Sequence, residues 1–469
     1  MFTFKKRVKK TEDFTSGPLL APYLRFGLAL LVSNLAQSLY NTADRIIIGR
    51  FSGDPNALAS MEATGTLSIM LINTIISLTV GATITLARAH GKKDNEEISG
   101  FLHTSLTFAL VVGVIFGVIG QFVSMPLLRV LNTKPELIEN AAAYIRIIFL
   151  GLPFAAFCSF ADIALRNRGK GGISSTIIVT SGILNVLLNI LFVSIFNMTV
   201  RGVALATIMS QAFSAISALI VLYRDEESIA FRFRKLHINP KRLGEIIKIG
   251  APNSVQAIIS TVARLVTVPT FNSLSLDIIR ADAAANSAMA VFNQSMWSFT
   301  VSAVAVAVAQ NYGARNYKRI RDTLIYASLS VIALAFIFVP FYLIFPKSII
   351  SLFADSSFES FEAIVSISVK LMMLFCFNLS IGAFSCIFTS SSRALGHPFT
   401  PLIISASTIG FGVAWCLFVF PHYGTPLAYY IHLPISALLG FTLHFITNAI
   451  YRAQVKKEFS KKEEPAPAA

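Results

Sequence analysis

Asp44 and Glu62 are carboxylates set inside long apolar runs. An ionisable side chain there costs about 3 kcal/mol or more to hold away from water, so each needs a reason to be present. At about 1.5 Å per helical residue, Asp44, about six residues before the end of the first run, and Glu62, about five residues into the second, stand roughly 8 to 9 Å below one surface. That depth brings both within one chamber. Two carboxylates in one partly desolvated space make a proton-coupled switch, and either can ligate Na⁺ through oxygen. Pairing of Asp44 with its neighbour Arg45 is geometrically poor, because adjacent side chains on a helix point about 100° apart.

Asn185 and Asn189 are four residues apart and share one helix face, and Thr207 brings a hydroxyl to a similar depth on the following run. Such groups ligate cations or hydrogen-bond a carboxylate; by themselves they also glue helices together in a bilayer. With Asp44 at a compatible depth, Asp44, Asn185, Asn189 and Thr207 form a candidate ion-coupling cluster. Glu62, Tyr40, Asn41, Gln211 and Arg264 are candidate cleft or substrate residues. Arg25 lies near a run's end and snorkels, while Arg146 and Lys370 are read as structural counter-charges.

The elements that must position these residues follow from composition. Of 469 residues, 54% are hydrophobic and 13% charged, and the mean hydropathy is +0.67. A soluble chain carries about 25% charged residues, so this one belongs in a bilayer, where about 20 residues make one spanning helix. Twelve spans are expected near 21–49, 57–87, 99–125, 138–163, 172–196, 201–223, 244–271, 281–310, 322–346, 362–390, 398–420 and 425–451. The runs are continuous rather than alternating, which excludes a barrel. The expected fold is an all-α integral membrane protein with twelve transmembrane helices in two six-helix, pseudo-symmetric lobes.

Basic residues set the orientation. The first tail (Lys5, Lys6, Arg7, Lys9, Lys10), the even-numbered connections and the last tail carry nearly all of them, and the longest such connection holds Arg224, Arg232, Arg234, Lys235, Lys241, Arg242 and Lys248. The opposite side has Arg50, Arg129, Lys134, Arg201, Arg280 and Lys347. Both termini are therefore expected in the cytoplasm. The boundaries read as a tail at 1–17, a first lobe at 18–223, a linker at 224–243, a second lobe at 244–452 and a tail at 453–469. Self-comparison at an offset of 222 to 227 residues superposes Phe26-Gly27 on Ile249-Gly250, Ala87 and Gly91 on Ala309 and Gly313, Arg146 on Lys370, and Arg166-x-x-Gly169 on Arg393-x-x-Gly396. Six-span halves repeated in this way start on the same side and enclose a cleft. The net charge of +15 is spread over short loops, so it reports topology and not nucleic-acid binding.

Six segments stand out: Tyr40-Asn41-Thr42-Ala43-Asp44 with Ile48-Gly49-Arg50-Phe51, Ala87-Arg88-Ala89-His90-Gly91, Leu165-Arg166-Asn167-Arg168-Gly169, Asn185-Val186-Leu187-Leu188-Asn189, Gly202-Val203-Ala204-Leu205-Ala206-Thr207 and Gln310-Asn311-Tyr312-Gly313-Ala314-Arg315-Asn316. In these the chain resembles the multidrug and toxic compound extrusion (MATE) family. The resemblance implies a V-shaped pair of lobes that exports amphipathic, often cationic compounds by antiport against H⁺ or Na⁺. It also implies that Asp44 is the coupling group, joined by Asn185, Asn189 and Thr207. Two departures stand out. Asn189 occupies a position where many relatives have a second carboxylate, and the first-helix proline of relatives is near Ala29 here, with Pro252 at the repeat-related place.

The expected activity is thus secondary active multidrug export by alternating access, in a cell inner or plasma membrane, by a monomer acting on small amphipathic molecules. No enzyme activity, cofactor, structural metal or nucleic-acid partner is expected; Na⁺ would be a transient guest at Asp44. A lipid or polysaccharide-precursor flippase is the alternative, and Arg264 favours it because a phosphate-bearing substrate wants cations in its path. A major-facilitator carrier lacks its inner-loop signature at Gly91-Lys92-Lys93-Asp94-Asn95, and a channel lacks a selectivity motif.

Overall fold

A computed structural model describes residues 13–54, 56–130, 133–225, 229–353 and 361–461, with backbone only at 66–76 and 461. The basic residues of the first tail, Lys5 to Lys10, and Lys462 of the last lie outside them. Every described regular element is helical. With no water to pair exposed amides inside a bilayer, helices satisfy their own backbone, which is why continuous apolar runs take this form.

The helices follow one another as twelve rods. They are α1 (Leu20–Phe51), α2 (Ala57–Ala63, resuming as Gly65–Lys92), α3 (Asn95–Val130), α4 (Pro135–Asn167), α5 (Gly171–Asn189, widening to a π-helix at Ile190–Ile195) and α6 (Thr199–Tyr223). Then come α7 (Pro240–Asn272), α8 (Leu276–Ala288, Ala290–Trp297, a π-helix at Ser298–Ser302, then Ala303–Gly313) and α9 (Tyr317–Ile344). The last are α10 (Phe361–Ala394), α11 (Phe399–Ala414, a π-helix at Trp415–Val419, then Phe420–Tyr423) and α12 (Pro426–Tyr430, then His432–Lys461). Among the described residues, ten helical stretches, one in each rod from α3 to α12, are long and apolar enough to cross a membrane.

Local chemistry fixes the ends. Proline opens α4 and the first piece of α12, where its missing N–H has no intrahelical partner to lose. The Asn316 side chain accepts the Arg319 amide at 3.1 Å and starts α9. Gly169 and Gly396, with φ of +68° and +100°, turn the chain just past α4 and α10. Glycine suits both places of the repeat, because both turns use the left-handed region.

The chain divides into two compact units, Met1–Ile247 and Lys248–Ala469. In the first, Gly113, Gly117 and Gly120 line one face of α3, and a β-carbon at Gly113 would fall 2.6 Å from the Pro153 Cα, so α3 and α4 pack backbone to backbone. Phe149, Leu152, Phe160, Leu102 and Leu106 fill the core beside them. In the second unit the run Ala303 to Ala309 of α8 is buried throughout, small residues again allowing neighbours to close in. Large apolar side chains such as Phe122, Phe336 and Ile337 face outward, as a lipid-facing surface requires.

Three sequence expectations change. The second span is interrupted at Thr64, so Glu62 sits on a separate seven-residue piece. The eighth is broken at Met289 and again by its π-helix. The segment 229–247, read as the end of a linker and the start of the next lobe, docks on the first unit. There the Arg232 amide donates to His103 Nε2 at 3.0 Å, Phe231 is buried against that ring, and Arg242 lies over Gly100.

Candidate functional site

The α1 and α5 rods pack side by side in the first unit, and the polar site lies between them. Asp44 is 8% exposed, Asn185 1% and Asn189 0%. Asn189 Nδ2 donates to Asp44 Oδ1 at 2.5 Å and to Asn185 Oδ1 at 3.2 Å. The i, i+4 spacing on α5 puts both asparagines on the face that meets Asp44. Asn189 is also the last residue before the backbone widens into its π-helix, a distortion that recurs at working sites because it re-aims side chains. Beside the site, Ile47, Ile48, Met61, Val193, Val200 and Val203 form a buried apolar cluster that keeps water from that flank.

None of the ion pairs among the described residues includes Asp44. Arg45 instead reaches across to Glu62, Nε to Oε1 at 2.9 Å, with both side chains about half exposed. Glu62, on the short helical piece that ends before Thr64, thus has Arg45 as its ion-pair partner. Within the site, Asn189 Oδ1 and Asn185 Nδ2 are buried with no partner, which leaves an oxygen free close to the carboxylate.

The remaining candidates occupy varied places. Thr207 on α6 is half-buried and spends its hydroxyl on its own helix, donating to the Val203 carbonyl at 2.9 Å. Tyr40 of α1 packs against α5, where a β-carbon at Gly182 would meet its Cδ1 at 2.9 Å. Asn41 is exposed, and Gln211 is half-buried on α6 near Gly151 of α4. Arg264 belongs to the second unit and is exposed on α7; Arg146 and Lys370 are exposed too.

Three polar groups escape a reading by depth alone. Asp162 on α4 takes both of its oxygens to Arg166 Nε at 2.8 and 2.9 Å, Arg166 Nη2 donates to Ser33 of α1 at 3.0 Å, and Ser174 of α5 also donates to Asp162. The signal was present, since Asp162-x-x-x-Arg166 has ion-pair spacing. Asp282 on α8 accepts from Tyr430 of α12 at 2.8 Å and from Asn286 at 2.9 Å, with Arg264 nearby. Its place just inside the expected eighth span was the clue. Arg393 on α10 is 6% exposed and rests on Gln256 of α7 at 2.5 Å.

The site is a carboxylate held by an amide inside a helical lobe, next to a free amide oxygen. Twelve spanning rods in two compact units, with such a group inside the first, are the architecture of a polytopic membrane protein. The chain belongs to the MatE family, whose sequence profile matches residues 29–191 and 253–418. A relative from Bacillus subtilis, named as the probable multidrug resistance protein YoeA, is 24% identical over 405 residues, covering 85% of this chain and 86% of its own. Among solved structures, a multidrug resistance MATE family transporter of the MOP superfamily in an outward-facing conformation superposes with a TM-score of 0.86 at 20% identity, over 95% of this chain and 99% of that one. A MOP superfamily transporter from Pyrococcus furiosus matches equally well, with a TM-score of 0.86, 20% identity and the same 95% and 99% coverage; for that protein the reversed polarity of its binding pocket is said to suggest a different function. At such identities the structures share the fold, and the charge of the pocket is each protein's own.

Proposed function

We propose that the chain is a secondary active exporter of amphipathic, cationic small molecules, driven by antiport of H⁺ or Na⁺ through Asp44, with both termini in the cytoplasm of a cell membrane. The observation that carries this reading is Asp44 itself: a nearly buried carboxylate with a neutral amide as its hydrogen-bond donor and an unpartnered Asn189 oxygen close by. An ionised carboxylate there is under-compensated, and a proton or a Na⁺ ion supplies what is missing. Loading changes the charge between α1 and α5, which biases how those helices pack and lowers the affinity for a cation from the other side. The names of relatives such as YoeA support drugs as cargo.

The test uses purified protein in liposomes with a fluorescent lipophilic cation, imposing a pH gradient and a Na⁺ gradient separately on the native protein and on Asp44→Asn. The amide variant keeps a hydrogen bond to Asn189, at a difference of about 1 kcal/mol between charge-assisted and neutral bonds, so it folds. Gradient-driven movement in the native protein that disappears in the variant is expected. Retained antiport in Asp44→Asn refutes the assignment.

A further inference from the structure

The two lobes place an arginine at the same point of their repeat and treat it differently. Arg166 on α4 has a carboxylate one turn earlier, Asp162, and bonds it twice. Arg393 on α10 has Thr389 at that position, and no ion pair among the described residues includes it. It is 6% exposed, and its hydrogen-bond support is neutral: Nη2 donates to Gln256 Oε1 at 2.5 Å, and Gln256 is fixed in turn by donating to Ser405 Oγ on α11 at 3.0 Å. A guanidinium stays charged, so it cannot shed its cost by losing a proton. A buried charge with no counter-charge is among the most destabilising features a lobe can hold.

Unpartnered polar groups accompany it on α10 and α12. Arg393 Nε is buried without a partner, as is the hydroxyl of Ser390, one turn earlier on the same helix face. His444 on α12, close enough to sense the Arg393 charge, has a buried Nδ1 without a partner. We propose that the second lobe holds a monovalent anion of chloride's size against the Nε edge of Arg393, with Ser390 as a further donor. The anion is the counter-ion that Asp162 supplies in the first lobe. This site is separate from Asp44, and it stands or falls independently of the export reading.

The test is thermal unfolding of the full-length protein in detergent, in sodium chloride, sodium bromide and sodium gluconate at equal ionic strength. The native midpoint is expected to lie several degrees higher in either halide than in gluconate. Gln256→Glu places a carboxylate on the guanidinium, and its midpoint is expected to be the same in all three salts, at the level the native protein reaches only in halide. In crystals soaked with bromide, an anomalous peak beside Arg393 Nε is expected. Equal native midpoints in all three salts, an undiminished halide response in Gln256→Glu, or an anomalous map empty at Arg393 would each overturn the proposal.

Discussion

Replacing Asn189 by aspartate tests whether the pocket beside Asp44 is a cation site. The amide nitrogen stands 2.5 Å from Asp44 Oδ1, so Asn189→Asp sets a second carboxylate against the first. With charge centres about 4 Å apart and an effective dielectric of about 20, their repulsion is about 4 kcal/mol. A bound monovalent cation relieves that repulsion, and each 1.4 kcal/mol is a factor of ten in affinity, so Na⁺ should bind up to about a thousandfold more tightly than to the native protein. Equilibrium binding of ²²Na⁺ to detergent-solubilised protein, at alkaline pH and with gluconate as the only anion, measures this directly. Acidification should abolish the gain, because a proton shared by the two carboxylates relieves the same repulsion. Turnover should fall as well, since an ion held this firmly leaves slowly. Unchanged Na⁺ affinity in Asn189→Asp would show that residue 189 and Asp44 do not face a common ion, and the coupling argument would fail with it.

Three further predictions concern what holds the first lobe together. Gly113→Ala forces a β-carbon to 2.6 Å from a proline backbone atom that cannot swing aside, and should cost about 1–3 kcal/mol in detergent unfolding, whereas Gly410→Ala, with nothing within 4 Å, should be neutral or stabilising. Asp162→Asn strands Arg166, 4% exposed, without its carboxylate and should cost about 3–5 kcal/mol, with Asp162→Asn/Arg166→Gln recovering part of the loss; an unaffected single variant would mean that the pair is not the lobe's internal counter-charge. Beyond the end of α6, burial opposes ionisation of Asp225, but Lys170 at 2.7 Å and Arg168 at 2.9 Å outweigh it and hold its carboxyl below the ordinary range. The stability this supplies is present above about pH 4, the unfolded value, and is lost as pH falls through the folded one, so Asp225→Asn should cost about 3 kcal/mol at neutral pH and progressively less in acid. A pH-independent deficit would refute that origin.

Which parts of this were legible in the sequence follows from what each signal measures. Apolar runs report desolvation, so the rods could be counted and bounded to within about five residues, except at the end of α12, which runs on to Lys461. Their extensions beyond the apolar core, such as α4 running to Asn167, depend on polar side chains finding partners in neighbouring helices, and hydropathy is silent on that. The π-helices at Ile190–Ile195 and Trp415–Val419 widen α5 and α11 with no change in composition, and only the backbone reveals them. Depth arithmetic placed Asp44 level with Asn189, and the i, i+4 rule put Asn185 beside it. The same arithmetic could not foresee that Arg45 pairs with Glu62, because depth fixes height and says nothing of azimuth.

The repeat carries a further lesson about charge. It preserves the turns after α4 and α10, the arginine one turn before each, and the π-helix near the end of the fifth and eleventh rods. It does not preserve the carboxylates. The first lobe keeps Asp44 against Asn189 and Asp162 against Arg166, while the second has Thr389 and Gln256 around Arg393, and its in-span carboxylate Asp282 is already held by Tyr430 and Asn286. A coupling cation needs a carboxylate that is both buried and under-compensated. Asp162 fails the second condition because Arg166 neutralises it, and Asp282 fails it because two donors and the nearby Arg264 serve it. Asp44 meets both, which is the physical ground for proposing that coupling resides in the first lobe.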